Sequence, residues 1–193
     1  MTQRGTIARF LLRAFAGSLL WICVLPGWAR ENILNTRPET YTSDEDENPA
    51  KPWAESAVEL PEYPNDADFY SFYVSAGTTS RFYLDAARLR LDSDGVARYT
   101  LLVISPSGVR NVSYEGMRCQ TRERRIYALG RPAQKTWSPA RGARWSPVRE
   151  TPVLRHHAAL YQDFLCPDGI LASRVDEVTR RIRKEGEPLE AAP

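Results

Sequence analysis

The sequence predicts an α+β fold: a single domain with a mainly antiparallel β-sheet, followed by one or two C-terminal helices and closed by one disulfide. Runs of β-branched and aromatic residues, separated by turn residues, fill the chain between positions 69 and 148. Apolar residues with a 3.6-residue period begin only after Thr151. Strands that come first and helices that come last are typical of α+β proteins.

Residues 1–29 have the pattern of a secretory signal peptide. Three arginines precede an apolar run, Ala14–Leu25, and small residues lead up to Ala29. This run is shorter than the about 20 residues that a membrane-spanning helix needs. Ile22 argues against lipid attachment at Cys23, because a lipoprotein signal has a small residue before the cysteine. We therefore expect cleavage after Ala29, export from the cytoplasm, and no transmembrane span after processing.

The chain after the signal peptide divides into three predicted parts. Residues 30–51 are polar, include the acidic run Asp44–Glu47, and predict a disordered acidic leader. Residues 52–185 hold the strands and helices of the α+β domain. Residues 186–193 have little besides Leu189 to bury, which predicts a flexible tail.

The charge of the chain gives no indication of nucleic-acid binding. Basic side chains outnumber acidic ones by 26 to 24, but three arginines lie in residues 1–29, which leaves 23 basic against 24 acidic afterwards. These charges are uneven, because residues 30–94 carry 6 basic and 14 acidic side chains, and residues 95–193 carry 17 and 10. We expect no nucleic-acid partner.

Strand and turn residues alternate through the centre of the chain. Asp92–Gly95 and Ser105–Gly108 are turn clusters, and in the second Pro106 suits a type I turn and Gly108 the left-handed residue of a bulge. The predicted strands are 69–74, 81–85 with a continuation over 89–91, 98–104, 109–119, 125–129, and a short strand over 145–148.

Glu115 is the only acidic residue in the two strands around the second turn. A turn with the bulge places Tyr99 opposite Glu115, whereas a tighter two-residue loop would place Arg98 there. Alternation puts Glu115 on the same face as Cys119, and a covered carboxylate needs partners. We expect Glu115 to be at least half buried and bonded to the Tyr99 hydroxyl, Arg98 or Arg131, in a structural role.

Two helices are predicted after the strands. Thr151-Pro152 suits the cap and first position of a helix that runs to Leu165. Ser173 and Asp176 have the spacing of a capping box and indicate a second helix over about 174–185. The predicted apolar face of the first helix comprises Val153, Leu154, Ala158, Tyr161, Phe164 and Leu165.

Processing would leave two cysteines in the chain. Cys119 ends a predicted strand, and Cys166 follows the first predicted helix. Because disulfides persist in oxidising compartments, we predict a bond that ties this helix to the central strands. Two buried free thiols are the alternative.

The order of motifs along the chain resembles a known family. The core of the resemblance consists of Asp94–Thr100, Ser105–Gly108 and Asn111–Cys119, and further agreement comes from Tyr127–Arg131, Trp137, Trp145, His157–Tyr161, Phe164–Pro167 and Gly169-Ile170. Over about residues 68–170 the chain is similar to the cryptic neisserial protein-like family of proteobacterial envelope proteins. The resemblance implies a Gram-negative exported protein with no established activity, so it supplies no catalytic residues.

Signatures of catalytic and cofactor sites are absent from the sequence. No GxSxG, HExxH, GxxxxGK[ST] or GxGxxG motif occurs, so we expect no catalytic residues, no metal and no cofactor. His156 and His157 point about 100° apart on a helix, which excludes a shared ion, and His157 next to the apolar stripe is expected to pack in the core. Asp66 and Asp68 are interpreted as residues of a solvated loop.

Arginines are concentrated in the second half of the domain, among aromatic residues. Guanidinium groups bind phosphate and carboxylate bidentately, so this stretch predicts an anion-binding face. Two alternatives remain open: the arginines pair with the acidic first half, or they reflect a GC-rich genome, since the chain has only three lysines. The candidate anion-binding residues are Arg118, Arg122, Arg124, Arg125, Arg131 and Arg144, with Arg141 and Arg149 nearby.

These observations favour an exported periplasmic binding or structural protein of the Gram-negative cell envelope. The expected partner is an envelope protein or an anionic envelope surface, such as lipopolysaccharide, phospholipid or peptidoglycan. The alternative is an envelope hydrolase that uses Glu115 or Asp85 as its carboxylate, and such an enzyme would need an open cleft around that side chain.

Overall fold

The computed structural model describes residues 52–190. The predicted signal peptide (1–29), the predicted leader (30–51) and the last three residues lie outside this range. The strands are β1 (Phe69–Ser71), β2 (Arg81–Asp85), β3 (Arg90–Leu91), β4 (Val96–Ile104), β5 (Arg110–Arg118), β6 (Glu123–Arg131), β7 (Thr136–Pro139) and β8 (Ser146–Pro147). The helices are α1 (Arg155–Ala159), which continues as a π-helical turn over Leu160–Leu165, and α2 (Val175–Glu185), with short 3-10 turns at Asp66–Asp68 and Pro167–Gly169.

The strands form one antiparallel sheet in the order β1-β2-β4-β5-β6-β7. The short strand β3 pairs with β4 beyond the end of β2, and β8 pairs with β6 beyond the end of β7. The predicted α+β class, with a mainly antiparallel sheet followed by two helices, is confirmed. Cys119 and Cys166 form the predicted disulfide, with a Cα–Cα distance of 5.4 Å.

The β4–β5 hairpin has the predicted turn and register. The Gly108 amide donates to the Ser105 carbonyl at 2.9 Å, the Ser105 amide donates to the Val109 carbonyl at 3.0 Å, and Gly108 has a φ of 83°. A positive φ favours glycine because glycine has no Cβ. As a result Tyr99 pairs with Glu115, as the bulged turn predicts.

A bulge in β6 shapes the β5–β6 pair. The pairing shifts from Tyr114↔Ala128 to Glu115↔Ile126, so Tyr127 is the extra residue. Its ring crosses Gly116 of the neighbouring strand, where a Cβ would overlap the Tyr127 hydroxyl. Gly116 therefore lets the tyrosine lie flat across β5.

The observed elements differ from the predicted ones mainly at their ends. β1 stops at Ser71 and not at residue 74. The strand β7 was not predicted, since it has only four residues and ends at Pro139, a residue that is unusual in strands. The first helix begins at Arg155 and not at Thr151, and residues 151–154 form a turn that leaves Val153 80% exposed. Neither α1 nor α2 has a side-chain cap, so the predicted cap at Ser173 is wrong.

The sheet has two buried faces. The helix face carries Tyr99, Glu115 and Met117, and α1, the π-helical turn and α2 cover it. The segment face carries Arg98 and Tyr127, and the irregular residues 52–65 cover part of it. Apolar residues of both faces are buried, and the larger cluster lies between the sheet and the helices.

Residues 186–190 are packed against the sheet. The sequence places them in a flexible tail, but the Ser71 amide donates to the Glu187 carbonyl at 2.8 Å and the Leu189 amide donates to the Phe69 carbonyl at 2.9 Å. Leu189 is 8% exposed because it enters the core beside Phe69. The domain therefore extends at least to Leu189.

Within residues 52–190, none of the helices has both the length and the apolar character needed to cross a membrane.

Candidate functional site

Glu115 is the centre of a buried polar cluster between β4, β5 and α1. One carboxylate oxygen accepts hydrogen bonds from the Tyr99 hydroxyl at 3.2 Å and shares a bond of 2.8 Å with the His157 Nε2 atom. The other oxygen accepts from the Ser113 hydroxyl at 2.6 Å. Glu115 is 2% exposed, so the predicted burial and the predicted bond to Tyr99 are both present.

The surroundings of Glu115 stabilise its charged form. Burial raises the pKa of this carboxyl, but the nearby His157 and the hydrogen bonds from His157 and Ser113 outweigh burial and bring the pKa to about 2. Burial, and then the Glu115 charge, raise the pKa of Tyr99 well above its ordinary value. Glu115 is therefore an ionised acceptor, and Tyr99 is a neutral donor.

The two histidines of α1 lie side by side against the sheet. His157 is 3% exposed, in agreement with the expectation that it packs in the core, but its bond to Glu115 was missed. The His156 ring stacks on Phe82, with 4.9 Å between ring centroids, and lies 4.0 Å from the His157 ring. Burial, followed by the electrostatic influence of the neighbouring His157, lowers the pKa of His156 to about 3.

This cluster connects α1 to the sheet, and its serine is not arranged as a nucleophile. Ser113 donates its hydroxyl to Glu115 and not to His157, so the histidine does not activate a nucleophile. None of its four side chains lines either of two surface grooves, one beside β1 and β2 and the other beside Tyr63. Within residues 52–190, no group of three or more His, Cys, Asp or Glu side chains is arranged to hold a metal ion.

Arg98 does not contact Glu115. It lies on the opposite face of the sheet, 2% exposed, because β-strand alternation turns it away from Tyr99. Its guanidinium donates to Asp92 at 2.6 Å and to the two Asp94 oxygens at 3.1 and 2.7 Å. Of the partners expected for Glu115, the structure therefore has Tyr99 and not Arg98, and Arg98 is the centre of a second buried cluster.

Glu55 joins the irregular segment to this second cluster. One carboxylate oxygen lies 3.7 Å from the Arg98 guanidinium, and the carboxylate accepts from Arg125 and from the Tyr127 hydroxyl, each at 2.6 Å. Trp145 donates to the same carboxylate at 3.3 Å. Residues 52–65 are thus held on the sheet by ionic and aromatic contacts.

Asp85, the other carboxylate of the hydrolase hypothesis, stabilises a loop. It is 0% exposed, and one of its oxygens accepts from the amides of Ala87 and Arg88 at 2.8 and 3.1 Å. Its second oxygen accepts from the Arg88 guanidinium at 3.1 Å, and Arg88 also bonds to Asp68. Burial raises the pKa of Asp85, and these hydrogen bonds oppose the increase.

The six candidate anion-binding arginines are divided among three places. Arg118, whose guanidinium lies 3.9 Å from the centroid of a Trp53 ring, and Arg125 are on the segment face. Arg131 donates to Ser138 instead of Glu115, and seven residues of strand place it about 23 Å from Arg124. The pairing of arginines with acidic residues of the first half, one of the two alternatives, is therefore present at Arg125 and Arg98.

Four arginines lie in or next to the residues where β8 pairs with the start of β6, and we refer to Arg122, Arg124, Arg144 and Arg149 as the ladder arginines. Arg124 pairs with Ser146, and the Val148 amide donates to the Arg122 carbonyl at 2.9 Å. Arg122 also has an exposed ion pair with Glu150 at 2.6 Å. Within residues 52–190, the other three ladder arginines have no carboxylate within 4 Å.

Comparison with known proteins shows one family along most of the chain. The model of the CNP1-like family matches residues 48–183, which include the whole sheet and nearly all of α2. Cryptic neisserial protein 1 of Neisseria gonorrhoeae (strain ATCC 700825 / FA 1090) is 27% identical over 175 residues, covering 81% of this chain and 83% of that protein. No solved structure matches the chain.

Proposed function

The chain belongs to the CNP1-like family, and we propose that it is an exported periplasmic protein that acts in the Gram-negative cell envelope by binding and not by catalysis. Its ligand is an anionic group of the envelope, and the ladder arginines bind it. The observation that carries the proposal is the set of ladder arginines beside the β6–β8 pair, three of which have no carboxylate partner in the described chain, and two of these three, Arg144 and Arg149, are exposed.

The chemistry of guanidinium groups supports an anionic ligand. A guanidinium presents paired donors that match phosphate and carboxylate oxygens, and it loses less hydration than an ammonium group when it binds. Arg144 and Arg149 are exposed and Arg124 is half-buried, so all three have surface available. Phosphates of phospholipid and lipid A, and carboxylates of peptidoglycan, share this chemistry.

Two features support an exported protein. Residues 1–29 combine a basic start, an apolar run and small residues before Arg30. The Cys119–Cys166 disulfide is of the kind that persists in oxidising compartments such as the periplasm.

A vesicle-binding experiment tests the anionic ligand. We expect the purified protein to bind vesicles containing phosphatidylglycerol and to lose at least tenfold in affinity between low and moderate salt, because exposed charges are screened. Replacing Arg124, Arg144 and Arg149 with serine should lower the affinity by a similar factor. Parallel titrations with lipopolysaccharide and peptidoglycan distinguish the sources of the anion.

The matched control removes three exposed arginines from α2 and the residue before it. Arg174, Arg180 and Arg181 are paired with Asp176 or Glu185, so replacing them with serine changes the net charge equally and leaves the ladder arginines intact. Equal losses in both variants would show that net charge alone drives binding. No binding of any of the three anions at low salt would contradict the proposal.

The location has its own test. Intact-mass and N-terminal analysis of protein extracted from envelopes should give a chain that begins at Arg30. A chain that still begins at Met1 would contradict export, and one acylated at Cys23 would contradict cleavage after Ala29.

A further inference from the structure

A small pocket lies between the irregular segment and the β6–β7 hairpin, away from both buried clusters. Its volume is about 380 Å³, which falls within the range of about 300–1,000 Å³ typical of small-molecule sites. It is lined by Tyr63, Pro64, Asn65, Asp66, Phe69, Arg110, Val112, Pro132 and Lys135. The lining therefore combines an apolar floor with a few polar groups.

The walls of the pocket are held by contacts on both sides. Trp137 donates its indole N–H to the Pro61 carbonyl at 2.8 Å, and its ring lies 5.3 Å from the Tyr63 ring. Gly130 lies below Tyr63, and a Cβ there would come within 2.7 Å of the Val112 Cβ and 3.1 Å of Tyr63. The glycine therefore allows the segment to approach the sheet at one wall of the pocket.

Two cations and one carboxylate line the pocket. Arg110 forms an ion pair with Asp66 at 2.5 Å, with side chains 29% and 47% exposed. Lys135 has no carboxylate within 4 Å in the described part of the chain, and the tight β6–β7 turn holds it at a φ of 49°. The lining therefore carries one net positive charge, which matches a ligand with one negative charge.

Tyr63 contributes a donor without a protein partner. Its hydroxyl oxygen is buried, and no group of residues 52–190 bonds to it. A buried hydroxyl is normally hydrogen-bonded, so this oxygen lacks a partner, which a ligand in the pocket supplies once the Tyr63 side chain turns toward it. Its ring contributes an apolar surface beside Val112 and Pro132.

We propose that this pocket binds a small organic monoanion, a carboxylate attached to an apolar body. The carboxylate accepts hydrogen bonds from Lys135 and the Tyr63 hydroxyl, and Arg110 adds a second positive charge that Asp66 keeps in place. The apolar body packs on Val112 and Pro132. This site is separate from the ladder arginines and does not depend on them.

Titration of the purified protein with benzoate, followed by ¹H–¹⁵N NMR, tests the site. Benzoate should shift the amide signals of residues around the pocket, and benzyl alcohol, which has a similar body and no charge, should bind at least tenfold more weakly. Inorganic phosphate should also bind more weakly, because it has no apolar body. No shifts with benzoate, or shifts confined to the ladder arginines, would overturn the proposal.

Two variants separate binding from folding. Lys135→Asn removes the charge and keeps a residue that tolerates a positive φ, and it should weaken benzoate binding at least fivefold. Tyr63→Phe keeps the contact with Trp137 and should weaken binding about threefold with an unchanged unfolding midpoint, since the hydroxyl has no protein partner. Arg131→Gln, in the same hairpin, is the control and should bind like the original protein. Unchanged binding in both pocket variants would contradict the assignment.

Discussion

On the helix face of the sheet one buried carboxylate is surrounded by hydroxyl and imidazole groups, whereas on the segment face one buried guanidinium is surrounded by carboxylates. Glu115 bonds to Tyr99, Ser113 and His157. Arg98 bonds to Asp92 and Asp94 and lies near Glu55. Both charges are at most 2% exposed, so each needs its partners to avoid a large desolvation cost.

The two clusters differ in what else holds the covering element. A disulfide from Cys119 to Cys166 attaches the helices covalently, and an extensive apolar cluster lies beneath them. Residues 52–65 form no helix or strand, and only their contacts with the sheet hold them in place. Among these residues, Glu55 bonds to three different side chains of the sheet and of the residues next to it. The polar contacts on the segment face therefore have to supply a larger share of the attachment.

The largest effect is expected at Arg98. Arg98→Met should lower the free energy of unfolding by about 3–5 kcal/mol, because it leaves buried carboxylates without their cation. Urea denaturation measures this loss. Arg90→Met is the matched control: Arg90 pairs with Arg98 across the β3–β4 ladder and bonds to Asp92, but it is 55% exposed, so its ion pair should contribute less than about 1 kcal/mol. Similar losses in the two variants would contradict the distinction.

Removing the disulfide is expected to have the next largest effect, and it tests how the helices are attached to the helix face. The double variant Cys119→Ala, Cys166→Ala should lower stability by about 2–4 kcal/mol, because a bond across 47 positions restricts the unfolded chain. Thermal and urea unfolding measure the change. Two thiols that react freely with an alkylating reagent in the native protein would show that the bond, and its contribution, are absent.

The helix face could be predicted from local signals. Ser105–Gly108 fixes the turn, the turn fixes the register, and the register places Tyr99 opposite Glu115. Cys119 and Cys166 then indicate which face the helix covers. Each of these steps depends on residues close in sequence or on a cysteine pair.

The contacts that were missed depend on how distant segments pack. Glu55 reaches Tyr127 across 72 positions, and His157 reaches Glu115 across 42, and no local pattern specifies either distance. Asp92 and Asp94 were interpreted only as turn residues, although their spacing from Arg98 along the hairpin allowed an ion pair. The β6 bulge at Tyr127 has no turn signal of its own, so it was not predicted.

His156 and Glu115 should lower the stability of the protein in different pH ranges. The lowered pKa of His156, about 3, gives stability that is complete above pH 6.5 and is lost as the pH falls towards 3. The lowered pKa of Glu115, about 2, adds a loss that begins only below pH 4.5. Between pH 6.5 and 4.5 the His156 shift alone should therefore remove about 2–3 kcal/mol of stability, and His156→Phe, which keeps a ring against Phe82, should lack this loss.

Urea denaturation at several pH values measures this difference. Arg155→Gln, on the same helix and exposed, should reproduce the slope of the original protein. An equal slope in His156→Phe would show that another group is responsible for the acid loss.

The most direct test of the account is to measure folding and binding together in Glu115→Gln. The account assigns the buried charges to the fold and the ladder arginines to ligand binding. Glu115→Gln should lower the free energy of unfolding by about 2 kcal/mol, because the charged acceptor of three hydrogen bonds is lost. Its affinity for phosphatidylglycerol vesicles at pH 7 should stay within twofold of the original protein. Unchanged stability together with lost vesicle binding, or with a lost envelope activity, would contradict the account and favour a catalytic role for Glu115.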